Sequence, residues 1–239
     1  TKTVGWWNTV QVADCNSDGQ PDLVLGNHGL NSRYARSDYQ SLGVYWYDFS
    51  KSGTRHGVIS YTTNGEAFPI HPRDDLMMQL PFLRKKFPYY SDYAKARMQD
   101  LFPQADLNAA EFRQINEWRS GLLLARGDSA WKFLPFPMEA QFAPVHAILV
   151  NDWDGDGNQD LLLAGNDYSY EVINGPVDAM NGLSLYGIGD GRFNPKRAGF
   201  RVTGEGRSLI KLNRPGRADL VLAGISNGAV VSLEVRRQK

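Results

Sequence analysis

The sequence predicts a mainly β fold: a β-propeller, partial or open at about three to four blades, with a helical insertion. Three observations predict it. The segment Val12-Ala-Asp-Cys-Asn-Ser-Asp-Gly-Gln-Pro-Asp-Leu-Val-Leu25 returns without a gap, 138 residues later, as Val150-Asn-Asp-Trp-Asp-Gly-Asp-Gly-Asn-Gln-Asp-Leu-Leu-Leu163. A second pattern, a strand, a Gly-Asp turn and an aromatic strand, occurs at 122–133 and again at 183–193. The chain also holds 24 glycines and 12% aromatic residues, a pairing that suits short strands and tight turns. One acidic loop with about four short strands makes a unit of roughly 60 residues, the size of a propeller blade.

Taken in order, Val10–Val12 and Leu23–Leu25 read as strands around the first acidic loop. A degenerate copy, Asp48-Phe-Ser-Lys-Ser-Gly-Thr-Arg-His56, precedes the apolar Val58 and Ile59. The pattern then breaks. Arg73 to Phe87 opens with acids and closes with bases, as a helix macrodipole favours, and Leu76, Leu80 and Leu83 share a face. Pro81 ends or kinks that helix. A second helix is expected from Ser91-Asp92 to about Phe102, with Tyr93, Ala94, Met98, Leu101 and Phe102 as its buried stripe. Strand patterns resume afterwards. Ala218-Asp-Leu-Val-Leu-Ala-Gly224 repeats Gln159–Gly165 at a spacing of 59. The expected segments are therefore 1–71 (blades with the first acidic loop), 72–108 (helical insertion) and 109–239 (blades with the second loop). Without the insertion about 200 residues remain, so the array is expected to be one or more blades short of a closed ring.

Composition narrows the function classes. Lys plus Arg and Asp plus Glu are both 26, so no net positive field exists to hold a polyanion, and a nucleic-acid partner is not expected. No apolar run is long enough to span a membrane as a helix. Thr1–Trp7 lacks the basic and apolar regions of a signal peptide. The single cysteine, Cys15, excludes an intramolecular disulfide.

The acidic loops carry the chemistry. Calcium takes six to eight oxygens, and a nine-residue loop with donors at positions one, three, five and nine, plus a carbonyl at seven, can wrap it. The first loop offers Asp14, Asn16, Asp18 and Asp22 with the carbonyl of Gln20; the second offers Asp152, Asp154, Asp156 and Asp160 with the carbonyl of Asn158. Two Ca2+ sites are expected, the four-carboxylate second loop binding more tightly. Magnesium is harder to dehydrate and stricter in geometry, and no thiolate or imidazole stands at a donor position for zinc. Asp48, Ser50 and Ser52 mark the degenerate loop, a weak third candidate. Lys211–Asp219 has lost nearly all donors and is expected to hold no ion. An EF-hand is excluded, because its twelfth positions are Leu25 and Leu163 instead of Glu and its flanks read as strands.

The spacing Asp-x-Asn/Asp-x-Asp-Gly-x-x-Asp-Leu resembles the calcium loop of the FG-GAP or VCBS repeat of integrin α-chain propellers. Secreted bacterial VCBS-repeat proteins with an insertion like 73–87 and a segment like Met138–Pro144 are closer still. The resemblance implies a calcium-stabilised propeller, extracellular or associated with the cell envelope, without an assigned catalytic activity. The loop at Asp48 departs from that pattern.

Two function classes follow. One is a non-catalytic module for protein or glycan binding and adhesion, with Trp6, Trp7, Tyr168 and Tyr170 as candidate sugar-stacking residues and self-association through open blade edges. The other is a polysaccharide hydrolase or lyase, for which Asp and Glu are abundant but unpaired in sequence. The loops at Asn27–Asn31 and Asn166–Glu171 follow equivalent strands and are candidates for one exposed face. His28, His56, His71 and His146 are dispersed. Gly224-Ile-Ser-Asn-Gly228 is followed by a strand-like run and so is expected to be a turn, not a nucleophile elbow. Arg126-Gly-Asp-Ser129 falls at a hairpin tip.

Overall fold

The computed structural model describes residues 3–127, 130–169, 175–196 and 199–235. In chain order the strands are β1 Thr9–Ala13, β2 Asp22–Gly26, β3 Ser41–Tyr47, β4 His56–Thr63, β5 Glu66–Pro69, β6 Glu111–Ile115, β7 Gly121–Arg126, β8 Ala130–Pro135, β9 Val145–Asn151, β10 Asp160–Gly165, β11 Leu183–Gly187, β12 Phe193–Lys196, β13 Gly206–Leu212, β14 Leu220–Ile225 and β15 Val231–Glu234. They form four antiparallel sheets, none of them closed: sheet I is β1-β2-β7-β8, sheet II β9-β10-β11-β12, sheet III β13-β14-β15 and sheet IV β5-β4-β3-β6.

The chain forms two compact units, one of residues 1–35 with 117–239 and one of residues 36–116. Composition divides the sequence at 71/72 and 108/109. Compactness divides it at 35/36 and 116/117, because β3, β4, β5 and β6 hydrogen-bond to one another as one sheet.

In the first unit, sheet II explains why its central strand shows no polar alternation. All six residues of β10 are buried. Leu161 and Leu163 join Val24, Leu122 and Leu124 of sheet I in one apolar cluster, while Leu162 and Ala164 join Val221 and Ala223 of sheet III in another. A strand covered on both faces reads as a continuous apolar run. Sheets I and III each keep an exposed apolar row: Val10 and Val12 on β1, and Ile210 and Leu212 on β13. The residues of β9 that match Val10 and Val12 in the repeat are Ile148, which is buried, and Val150, which packs on the sheet I–II core.

Glycine is required where β2 and β10 end. A Cβ on Gly26 would stand 2.6 Å from the carbonyl oxygen of Val145, and one on Gly165 would stand 1.8 Å from that of Pro144. The asparagines that follow are buried and tie distant chain: Asn27 Nδ2 donates to the carbonyls of Glu117 and Arg119, and Asn166 Nδ2 to those of Met180 and Gly204.

The second unit packs sheet IV with five short helices, α1 Arg73–Gln79, α2 Leu83–Lys86, α3 Tyr90–Tyr93, α4 Met98–Leu101 and α5 Gln104–Ala109. Leu76, Leu80, Leu83, Tyr93, Met98, Leu101 and Phe102 share its core with Phe49 and Val58. Helix α1 stops just before Pro81, as expected. The expected single helix from 91 to 102 is two, because the chain leaves α3 and restarts at Arg97, whose N–H donates to Asp100 Oδ2 at 2.9 Å. Ala94, expected in the buried stripe, is exposed.

Candidate metal centre

The three acidic loops are built alike. The first aspartate accepts the N–H of the sixth residue, a glycine with positive φ: Gly19 to Asp14 Oδ2 at 2.8 Å, Gly157 to Asp152 Oδ2 at 3.0 Å and Gly53 to Asp48 Oδ2 at 2.7 Å. The fifth side chain accepts the N–H of the seventh residue: Gln20 to Asp18 Oδ1 and Asn158 to Asp156 Oδ1, both at 2.8 Å, and Thr54 to Ser52 Oγ at 3.4 Å. The fourth residue is also left-handed, with φ of 59° at Ser17, 85° at Gly155 and 56° at Lys51. Only Gly155 adopts that conformation without a Cβ penalty.

Position nine divides the loops. Asp22 and Asp160 are almost fully buried. Each ties the loop to its own sheet: Asp22 accepts Cys15 N–H at 3.0 Å and Ala125 N–H at 2.9 Å, and Asp160 accepts Trp153 N–H and Gly187 N–H, both at 2.8 Å. Each carboxylate oxygen keeps a second lone pair. Burial, and then the charges of Asp154 and Asp156, raise the Asp160 pKa against the two N–H bonds that lower it. The degenerate loop has His56 at this position.

In the second loop Asp152, Asp154 and Asp156 present carboxylate oxygens that all lie within 4.8 Å of one another. Two oxygens on one calcium ion, each about 2.3–2.6 Å away, stand at most about 5 Å apart, so the donor set fits. It is the one such group of three His, Cys, Asp or Glu side chains among the described residues. In the first loop Asn16 replaces the middle carboxylate, and its Nδ2 donates to Asp18 Oδ2 at 2.8 Å. In the degenerate loop the Ser50 and Ser52 hydroxyls bond each other at 2.7 Å, and Ser50 donates to Asp48. Hydrogen bonds from Asn16 and the Gln20 N–H lower the Asp18 pKa, and the Asn158 N–H and amide lower that of Asp156. Cys15 sits in the sheet I–II core, where burial and then the Asp22 and Asp14 charges push its thiol up to about 12. In the copy at 211–219, Lys211 Nζ lies 3.5 Å from Asp219 Oδ2.

Sequence reasoning left the histidines unplaced. His146 on β9 brings Nε2 to 3.8 Å from Asp167 Oδ2, and Arg207 Nη2 lies 3.7 Å from Asp167 and 3.5 Å from Glu205. Tyr168 N–H donates to Glu205. His28 is buried and stacks on Trp6 at 5.1 Å between ring centroids, with Tyr34 and Trp118 also against it. Burial, before any charge effect, drops the pKa of both His28 and His146 to about 4. The Asp167 charge raises the His28 pKa and that of His146 lowers it, both less than burial does. The signal available in sequence was that His28 and Asp167 each follow the buried asparagine ending an equivalent strand. Among the candidate sugar-stacking residues, Trp6 and Tyr168 are exposed while Trp7 packs its edge on Phe133. Tyr170, Asp128 and Ser129 lie outside the described residues. Gly224 and Ile225 end β14, and Ser226–Gly228 turn towards β15.

No protein-family model matches the chain, and no curated protein and no solved structure matches it.

Proposed function

We propose that the chain is a calcium-binding module of open propeller type, related to the FG-GAP/VCBS repeat proteins, that binds a protein or glycan partner outside the cytoplasm without catalysing a reaction. The observation that carries the reading is the Asp152, Asp154 and Asp156 oxygen cluster on a loop whose backbone is set by its own hydrogen bonds. Asp152, Asp154, Asp156, Asp160 and the Asn158 carbonyl would hold one ion, and Asp14, Asn16, Asp18, Asp22 and the Gln20 carbonyl a second. Each ion would supply positive charge that stiffens the link between the first two strands of sheets I and II. The exposed apolar rows of sheets I and III support self-association, since the matching row of sheet II is covered by another sheet. The test is calcium titration by calorimetry, paired with glycan arrays run with calcium and with chelator. Two equivalents bound and a calcium-dependent array signal are expected; no heat and no calcium on elemental analysis would remove the reading.

A second reading, an enzyme acting on polysaccharides, is favoured by one observation: Asp167 and Glu205 flank Arg207 beside His146. Turnover of a polysaccharide that Asp167→Asn or Glu205→Gln abolishes would establish it over the first.

A further inference from the structure

A cavity of about 400 Å3 opens in the unit of residues 36–116, between sheet IV and helices α4 and α5. Its size lies within the range of small-molecule sites, roughly 300–1,000 Å3, but most such sites are walled by apolar side chains and this one is mostly polar. Gln99 on α4 and Gln104 and Asn108 on α5 line it, and all three are exposed. Gln104 Nε2 donates to Asn108 Oδ1 at 2.9 Å, which leaves the Gln104 carbonyl as an acceptor and the Asn108 amide as a donor. Ala67 and Leu107, which pack on the core of the unit, give the cavity an apolar floor.

Tyr45 on β3 stands between floor and rim. Burial raises its pKa with no hydrogen bond contributing, yet its hydroxyl is not among the described atoms that are sealed from water without a partner. It can therefore meet a ligand. The charged side chains of the lining are Glu66 and Arg97, and they cancel: Arg97 Nη1 lies 3.0 Å from Glu66 Oε1, with both side chains 43% exposed. Beside them Asp100 accepts the Arg97 N–H, and Asp106 on α5 is paired with Lys51. No unpaired cation of the lining is left to hold a phosphate or carboxylate. Amides offer a donor and an acceptor together, which matches hydroxyl groups that both give and take hydrogen bonds. A ligand with a hydroxyl edge and a C–H face fits amides on one side and an apolar floor on the other.

We propose that this cavity binds a neutral sugar chain, its hydroxyls held by Gln99, Gln104 and Asn108 and its C–H face on the apolar floor. The site gives the glycan partner of the reading above a class and a place, and rests on that part of it. It does not rest on the ions, because both proposed calcium loops belong to the other unit.

The test titrates the full chain, once in excess calcium and once in chelator, with four neutral trisaccharides: cellotriose, maltotriose, mannotriose and triacetylchitotriose. Trigalacturonate is the anionic control. One equivalent of a neutral trisaccharide is expected to bind in both arms, with trigalacturonate weaker. The side-chain amide resonances of Gln99, Gln104 and Asn108 should move in a 15N spectrum, each assigned by its loss on substitution by alanine. Asn108→Ala should weaken binding about tenfold, the worth of one hydrogen bond. Gln99→Trp, at an exposed position of α4, should crowd the cavity and abolish binding. Binding by none of the four overturns the proposal, as do amide resonances unmoved at saturation, tighter binding of trigalacturonate, or an unchanged affinity in Gln99→Trp. If Gln99→Trp does not fold, the amide resonances decide. Trisaccharide bound in chelator by a chain that takes up no calcium supports this site while removing the calcium reading; calcium uptake without bound trisaccharide does the reverse.

Discussion

The loop at Asp152–Asp160 and the loop at Asp48–His56 have the same backbone and different chemistry. Both begin with an aspartate that collects the N–H of a left-handed glycine five residues on, and both place a left-handed residue at position four. One then carries carboxylates at positions three, five and nine. The other carries two serines that bond each other, and a histidine. The turn therefore needs the first aspartate, the glycine and an acceptor side chain at position five, which aspartate or serine can supply. The capacity for an ion is a separate layer, written at positions three, five and nine. Sequence resemblance in this turn therefore need not carry the donor set.

The largest effect expected from breaking this contrast comes from Asp152→Ala. It removes a donor of the proposed ion and the acceptor of the Gly155 and Gly157 N–H groups. An ion at a hundredfold excess over its Kd stabilises the native state by about 2.7 kcal/mol, which for a chain of this size is worth roughly 5–10 °C of melting temperature. Asp152→Ala should lose that increment, and the difference between calcium and chelator melts should shrink accordingly. Asp48→Ala disrupts the same backbone but should cost the same in calcium and in chelator. Equal calcium dependence for the two variants would erase the contrast.

The reverse change sharpens it. Ser50→Asp combined with Ser52→Asp restores carboxylates at positions one, three and five on a turn that already has the required shape. One further calcium equivalent per chain is expected by elemental analysis after dialysis. No gain would mean that position nine, where Asp22 and Asp160 anchor their loops, is indispensable.

Acidification separates the loops from the histidines. Asp18, Asp48 and Asp156 are held below the usual carboxylate range, so these three carboxylates keep their charge in mild acid. His28 and His146 have pKa values near 4 in the folded state against 6.5 in the unfolded chain. The unfolded state thus takes up protons first. Stability is complete above pH 6.5 and is lost as the pH falls from 6.5 towards 4, by roughly 1.4 kcal/mol per pH unit per histidine. Urea denaturation across that window should show the decline in chelator, and His146→Gln should reduce its slope.

The smallest effect concerns position four. Ser17→Gly relieves a residue at φ 59° and should stabilise by under about 1 kcal/mol, whereas Gly155→Ser should destabilise by about the same amount. Thermal melts in chelator isolate both from ion binding.

Much of this was legible in the sequence. The repeat at 12–25 and 150–163 announced two loops, their strands and the Asp152, Asp154 and Asp156 cluster, because spacing within nine residues is local. The turn between β14 and β15 and the buried faces around Leu76, Leu80 and Leu83 were equally local. The restart of the helix at Arg97 was local too, held by the Arg97 N–H on the Asp100 side chain, but Arg is not among the preferred N-cap residues and so gave no start signal. The pairing of β6 with β3 was not local: it joins chain some 70 residues apart and moves the unit boundary. The meeting of His146, Asp167, Glu205 and Arg207 has the same cause: three strand ends converge, and nothing in the linear spacing records it. The glycine at position four was visible in the second loop only, because Ser17 and Lys51 occupy its place elsewhere.

The central claim is that two loops hold calcium and the third does not. The direct measurement is calorimetric titration of the chelator-stripped chain with calcium, repeated on Asp154→Ala and Asn16→Asp. The account predicts two equivalents, the tighter site lost in Asp154→Ala and the weaker one strengthened in Asn16→Asp. No heat in the parent chain, or three equivalents, would contradict it.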